Sequence, residues 1–208
     1  EYKLYLFLNP SYFTEAERAA IDGLKRDGKT LAWFYAPGYV TDRGLSLDAV
    51  KRTCGLDIRI KEGAYEIPKM TYVEGSPLSE GLVGTSLALY NWDCLQGVSP
   101  DEISPIFHAD EATTKAAGRY ADGRIAYGER DFGTWRSVWC GVPNFDLQAM
   151  VRLARHAGVH LYAEAPIVLN ADNRVMMVHN GYEKPRTVRI RLPRRARVGD
   201  LGSGKPVA

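Results

Sequence analysis

The sequence lacks several features that would point directly to a function. It has no excess of one charge, because 27 Lys and Arg residues are balanced by 25 Asp and Glu residues. This balance predicts no field that would attract nucleic acid or an anionic membrane. No apolar run reaches the roughly 18 to 20 residues of a membrane-spanning helix, and no signal peptide opens the chain. We therefore expect a soluble globular protein with neither nucleic acid nor a membrane as its partner.

Metal-binding and disulfide patterns are also missing. The chain has only three cysteines, Cys54, Cys94 and Cys140. Their number is odd and no CxxC spacing occurs, which predicts reduced, buried thiols. His156 and His160 are four residues apart, but the Glu of an H-E-x-x-H motif is absent and Gly158 is expected to end the helix between them. The sequence thus predicts no metal and no cofactor.

What is present begins with an α/β pattern. Residues 3–9 form an almost continuous apolar run, which is typical of a buried parallel strand. A helix is predicted next, with Thr14 and Glu17 as a capping box and Gly28 in the turn that follows it. Residues 30–35 form a second buried strand. The order predicts a right-handed β-α-β unit with parallel strands.

The middle of the chain combines a helix with short strands. Ser46 is expected to cap a helix that reaches Cys54 and ends at Gly55. Short strand-like runs separated by Gly, Pro and Ser then indicate a β-rich insertion. These runs are residues 58–60, 65–73, 86–92 and 103–108.

A second β-α-β order is predicted towards the end. Residues 124–127 and 134–139 are expected to form strands, Asn144 to cap a helix that runs to Ala157, and residues 159–162 to form another strand. From about residue 165 the spacing of turns predicts a small antiparallel unit. Its strands are expected at residues 167–169, 174–179, 187–192 and 197–201.

Specific strings resemble a known family. They include GTWRSV at 133–138, AGVHLY at 157–162 and DLGSGK at 200–205, within a similarity that covers most of the chain in order. They resemble the C-terminal region of β-galactosidase-like glycoside hydrolases. In that family a catalytic barrel is followed by a class I glutamine-amidotransferase-like domain, the β-galactosidase trimerisation domain, and then by a short β-sandwich.

The resemblance implies both a fold and a role. Residues 1–164 would form a flavodoxin-like, amidotransferase-like α/β domain, with a parallel sheet and helices on both faces, and residues 165–208 a small antiparallel β-sandwich-like unit. The role implied is oligomerisation without catalysis, as a trimer or dimer, with the catalytic barrel of the same or a companion polypeptide as partner. The family's first strand and helix would precede residues 3–9. We therefore expect a start inside a larger polypeptide and an exposed sheet edge at residues 3–9.

The residues give little support for catalysis by this chain. Amidotransferases place a nucleophilic Cys on a strand-to-helix elbow, whereas the expected elbow here is Tyr35-Ala36-Pro37-Gly38. Asp93 and Glu164 are the weak candidates for a glycosidase carboxylate pair. A complete (β/α)₈ barrel needs about 200 to 250 residues, so loop carboxylates or helix caps are the simpler interpretation of both.

Aromatic residues suggest where a saccharide or a partner would be contacted. Trp33 and Trp139 lie inside apolar strands and are predicted to be core residues. Trp92, Asp93, Trp135 and Arg136 lie near expected strand ends and are the candidate contact residues. The prediction is a non-catalytic accessory module of a carbohydrate-active enzyme, with a role in shaping a saccharide-binding cleft. The alternatives are a free-standing carbohydrate-binding module and a small hydrolase that uses Asp93 or Glu164.

Overall fold

A computed structural model describes residues 2–63, 66–88, 103–144, 146–163, 167–172, 174–181 and 183–206. The chain divides into two compact units, Glu1–Val159 and His160–Ala208. The domain boundary at 164/165 remains a sequence-based prediction. No helix among the described residues is long and apolar enough to cross a membrane.

In the described residues the first unit contains three α-helices and eleven strands. The helices are α1 (Glu15–Leu24), α2 (Leu47–Cys54) and α3 (Leu147–His156). The strands are β1 (Leu4–Phe7), β2 (Lys29–Phe34), β3 (Val40–Thr41), β4 (Gly44–Leu45), β5 (Ile58–Lys61), β6 (Lys69–Tyr72), β7 (Ser86–Ala88), β8 (Ile106–Ala109), β9 (Lys115–Tyr120), β10 (Ile125–Asp131) and β11 (Trp135–Cys140). A single 3-10 turn spans Pro77–Ser79.

The predicted flavodoxin-like fold is wrong. Nine of the described strands form one mixed sheet, with the path β1-β2-β11-β10-β9-β6-β7 and with β8 joined to β10 and β5 to β8. Among the described strands only the pairs β1-β2 and β2-β11 are parallel. The described part of this unit has eleven strands and only three short helices, and most strand pairs are antiparallel, so the first unit is mostly β.

Two local features of the chain differ from the predicted α/β order. Residues 159–162 are not a strand, so α3 is not followed by a further parallel strand there. Strand β9 was not predicted, because its sequence KAAGRY has the Ala and Gly residues that strands usually avoid. It lies between β10 and β6, where a Cβ on Gly118 would stand 2.7 Å from the Met70 sulfur. Close packing of a neighbouring strand therefore explains the glycine.

The opening β-α-β order and the parallel pairing of its strands are confirmed. Strands β1 and β2 pair in parallel, with Leu4 opposite Thr30. Thr14 and Glu17 form the capping box of α1, and Gly28 has a φ of 69°. Strand β1 pairs only with β2 among the described strands and thus forms the end of the sheet path. The expected sheet edge is therefore present at β1, where Leu6 is 41% exposed.

Helix α2 matches its prediction, whereas α3 begins later than expected. Ser46 caps α2 and Gly55 ends it in a left-handed conformation. The N-cap of α3 is Asp146, whose side chain accepts a hydrogen bond from Ala149 N. Asn144 instead donates from Nδ2 to the Ala88 carbonyl over 2.8 Å. A side chain engaged elsewhere is not available as the helix cap.

The core lies on both faces of the sheet because strand side chains alternate. Ala32 and Phe34 of β2 pack on the face that α3 covers. Leu31 and Trp33 point to the other face, where Val50 of α2 is buried. Trp33 and Trp139 are 1% and 0% exposed, which confirms their prediction as core residues.

The second unit contains a two-stranded antiparallel sheet. Its strands are β12 (Val168–Ala171) and β13 (Met176–His179). The predicted strands at 187–192 and 197–201 are absent as strands from this described part of the chain. The alternation of apolar and basic residues there does not suffice for a strand when no paired neighbour satisfies its backbone.

Candidate functional site

The predicted contact residues fall into two groups. Trp92, Asp93 and Glu164 lie outside the described residues, as does Cys94. Trp135 and Arg136 lie at the start of β11. Successive strand residues point to opposite faces, so these two side chains do not share one surface.

Trp135 belongs to the face covered by α1 and α2. It is 8% exposed and its ring stacks on Phe132, with ring centroids 4.5 Å apart. The Lys25 ammonium lies 5.5 Å from the ring centroid, within cation-π range. The ring is thus covered by groups of its own chain and offers little surface to a saccharide.

Arg136 points to the face covered by α3. The register places it opposite Asp131 of β10, and its Nη2 lies 3.0 Å from Asp131 Oδ2. Its Nη1 donates to the His156 carbonyl over 3.4 Å, at the end of α3. Arg136 Nε is buried without a hydrogen bond of good geometry, although Glu129 Oε2 lies 3.4 Å away.

The centre of this face is a buried carboxylate that sequence reasoning missed. Glu129, in β10, is 5% exposed. Its Oε1 accepts from the Ser76 hydroxyl over 3.0 Å, and its Oε2 is 2.5 Å from His156 Nε2. The signal that could have revealed it is its position two residues beyond the apolar run 125–127, where an extension of the predicted strand would bury a charged residue that needs a partner.

Local structure explains why these groups meet. Glu129 and Asp131 are two residues apart in β10 and therefore share a face. Ser76 caps the 3-10 turn at Pro77–Ser79, and His156 is the last residue of α3. The acidic cluster thus fixes the end of a helix and the start of a turn to the middle of the sheet.

The electrostatics favour an ionised Glu129. Burial alone raises the pKa of Glu129, but the hydrogen bond and charge of His156, together with Ser76 and Arg136, hold it below its usual value. The backbone N–H of Gly133 and the Arg136 guanidinium likewise lower the pKa of Asp131. Both carboxyl groups are therefore charged near neutral pH, and His156 acts as donor to Glu129.

A cavity of about 520 Å³ opens beside this cluster. Its polar lining includes Thr113, Lys115, Asp131, Arg136 and His156. Lys115 faces Glu129 across the β9-β10 pair. Since the carboxylates are already bound by donors of the chain itself, the arrangement suits the joining of structural elements better than proton transfer.

The expected elbow contains a strained residue but no nucleophile. Tyr35 follows β2 with a φ of 63°, a conformation that non-glycine residues rarely adopt. Cys54 and Cys140 are both fully buried, and burial raises the pKa of each thiol to about 12. Such thiols are protonated and inert at neutral pH.

The two histidines weighed as a metal pair have other partners. His156 bonds Glu129, and His160 Nε2 lies 2.9 Å from the Arg191 carbonyl within the second unit. Within the described ranges, no group of three or more His, Cys, Asp or Glu side chains is placed to hold a metal ion.

Comparison with known proteins shows a similarity of fold to solved β-galactosidase structures. No protein-family model and no curated protein matches the chain. A cold-adapted β-galactosidase from Rahnella sp. R3 matches at a TM-score of 0.56 and 16% identity, covering 81% of this chain and 25% of that protein. A β-galactosidase from Bacillus circulans sp. alkalophilus matches at the same TM-score and identity, covering 83% of this chain and 26% of that protein. The chain thus shares its fold with about a quarter of the length of these β-galactosidases.

Proposed function

We propose that this chain is a non-catalytic accessory domain of a β-galactosidase-like glycoside hydrolase and acts in subunit assembly. The observation that carries the proposal is the fold likeness over 81% of the chain to only 25% of a β-galactosidase. The remaining three quarters of such a protein leave ample room for a separate catalytic barrel. The partners are then that barrel, in the same or a companion polypeptide, and further copies of the chain in a trimer or dimer.

The chemistry of the cavity beside Glu129 supports a role other than glycoside hydrolysis. Glycosidases need one carboxyl group with a raised pKa to protonate the leaving group. At this cavity Glu129 and Asp131 both have a lowered pKa, because each is held by cationic or N–H donors. Neither is suited to be the general acid.

The edge of the sheet supports a role in assembly. Strand β1 ends the sheet path, and the exposed apolar side chains Leu6 and Leu8 lie on or beside it. An unpaired edge with apolar side chains favours association with another surface. We assign this edge to the contact with a catalytic barrel or a second subunit.

The test compares the product of the whole gene with a variant that lacks residues 1–208. Sedimentation velocity and turnover of an aryl β-galactoside are measured for both proteins. The deletion is expected to change the oligomeric state, while the 208-residue chain alone shows no turnover. Turnover by the chain alone, or a deletion that leaves assembly and activity intact, contradicts the proposal.

A pair of matched variants locates the contact. Leu8→Asp places a charge beside the β1 edge and is expected to weaken the oligomer of the whole gene product. Leu147→Asp serves as the control, because Leu147 is also exposed but lies at the start of α3. Equal assembly by the two variants excludes the edge as the contact.

A further inference from the structure

A second cavity, of about 360 Å³, lies at the carboxyl ends of β1 and β2. The two strands are parallel, so the residues that follow them, Asn9 and Tyr35, meet at one edge of the sheet. Sheets with parallel strands commonly bind ligands outside these ends. The volume is near the lower limit of the about 300 to 1,000 Å³ typical of small-molecule sites.

Tyr35 is held in an unfavourable backbone conformation at this cavity. Its N–H donates to the Cys140 carbonyl over 2.8 Å, and its carbonyl accepts from Trp139 Nε1 over 2.7 Å. Its hydroxyl donates to the Pro105 carbonyl over 2.5 Å. Strained residues persist only where several such contacts fix them, and they concentrate at ligand sites. The ring is thus positioned before any ligand arrives.

Three uncharged polar side chains complete the lining. Asn9, Ser11 and Ser104 are exposed and border the cavity. In the described part of the chain, none of these three side chains takes part in a hydrogen bond or ion pair. One amide and two hydroxyl groups are therefore available as donors and acceptors.

The lining selects against charge. Among the described residues it consists of these polar groups, Tyr35 and the apolar residues Ala36, Ile103 and Pro143, and it includes no Asp, Glu, Lys, Arg or His. Such a lining does not offset the hydration that an ionic ligand loses on binding. The hydroxyl groups of a neutral ligand can hydrogen bond to the polar side chains, and its apolar face can pack against the Tyr35 ring.

We propose that this cavity binds one neutral sugar ring. Asn9, Ser11 and Ser104 hydrogen bond its hydroxyl groups, and the ring of Tyr35 packs against its C–H face. The choice of a sugar among neutral hydroxylated molecules rests on the proposed function, whereas the cavity and its lining do not depend on it.

The test is a titration of the ¹⁵N-labelled 208-residue chain with D-galactose, D-glucose and D-galacturonate, followed by NMR. A neutral sugar is expected to shift the amide signals of Asn9, Ser11 and Tyr35 in a saturable manner, and galacturonate to bind more weakly. Asn9→Gly removes the amide and suits the φ of 47°, so the thermal stability is kept while binding weakens. Loss of one neutral hydrogen bond weakens binding about two- to tenfold, in Asn9→Gly and in Ser11→Ala.

Ser86→Ala is the control, because Ser86 is an exposed serine of β7 at the other end of the sheet path. It is expected to bind as the wild type does. The proposal is overturned if no neutral sugar gives a saturable shift, if galacturonate binds more tightly, or if Asn9→Gly and Ser11→Ala bind like the wild type. Because only binding by this chain is measured, such a failure leaves the assembly role, tested by sedimentation, unaffected.

Discussion

His156 donates its Nε2–H to Glu129 Oε2 over 2.5 Å and thereby joins the end of α3 to the middle of β10. The Ser76 hydroxyl donates to the other carboxylate oxygen over 3.0 Å. Three segments far apart in sequence are thus held by one buried carboxylate. Removal of either donor leaves the buried Glu129 carboxylate short of one hydrogen bond. The free energy of unfolding should therefore be sensitive to mutation of His156 or Ser76.

The first prediction concerns His156. We expect His156→Ala to lower the free energy of unfolding by about 2 to 3 kcal/mol, because a buried carboxylate loses a hydrogen bond while Ser76 and Arg136 still face it. Urea denaturation measures the change. His179→Ala is the control, since His179 is exposed, and it is expected to change the value by less than about 0.5 kcal/mol. Equal losses in the two variants contradict the structural role of the pair.

The second prediction is the pH dependence of Glu129. Burial raises the pKa of Glu129, but the hydrogen bond from His156 and the other donors lower it below the ordinary 4.5. A lowered folded-state pKa contributes stability above the ordinary value that is lost as the pH falls through the folded-state pKa. We therefore expect the stability advantage of the wild type over Glu129→Gln to be full near neutral pH and to shrink below about pH 4.5.

Urea denaturation of both proteins at a series of pH values measures this difference. Subtraction removes the acid response of the other carboxyl groups with a lowered pKa, such as Glu111 and Asp122, because both proteins share them. An advantage that stays constant into the acid range would show that Glu129 does not titrate differently in the folded chain.

The third prediction concerns the thiols. Cys54 and Cys140 are buried and have a pKa of about 12, so a disulfide reagent is expected to leave both unmodified in the native protein. The measurement uses a Cys94→Ser variant, in which these two are the remaining cysteines. Both should react once denaturant is added. Rapid modification under native conditions contradicts the burial of these residues.

The fourth prediction compares two glycines in the left-handed region. Gly55 and Gly28 have φ values of 76° and 69°. A Cβ on Gly55 would lie 2.6 Å from Phe132 Cζ, whereas nothing lies within 4 Å of one on Gly28. We expect Gly28→Ala to cost about 1 to 2 kcal/mol from the backbone alone. Gly55→Ala should cost clearly more, because it also displaces the ring that stacks on Trp135.

Thermal and urea denaturation of the two variants give this comparison. Near-ultraviolet circular dichroism reports the stack of Phe132 on Trp135 and should change only in Gly55→Ala. Equal losses of stability in the two variants would mean that Phe132 moves aside freely. The close approach at Gly55 would then contribute nothing to the free energy of unfolding.

One part of the candidate site was within reach of the sequence. Strand residues alternate between faces, so the prediction of a strand at 134–139 already implied that Trp135 and Arg136 point apart. In the structure Trp135 stacks on Phe132 and Arg136 pairs with Asp131. Whether either contacts a saccharide or a partner remains a prediction.

The sequence by itself determined the elements whose signals act within a few residues. The capping box of Thr14 and Glu17, the Ser46 cap and the left-handed Gly55 each set a helix boundary through hydrogen bonds or backbone angles local to that boundary. The parallel pair β1-β2 followed from one helix between two apolar runs.

Only the tertiary structure decided which strands pair and which polar groups meet. Strand β9 contains Ala and Gly residues, and it forms because β6 and β10 supply its hydrogen bonds and leave no room for a side chain at Gly118. Glu129 lies 27 residues from His156 and 53 from Ser76, distances that no local pattern spans. Strand pairing and burial of a charge are cooperative, long-range events, and for that reason the mixed sheet and its buried carboxylate were not predicted from the sequence.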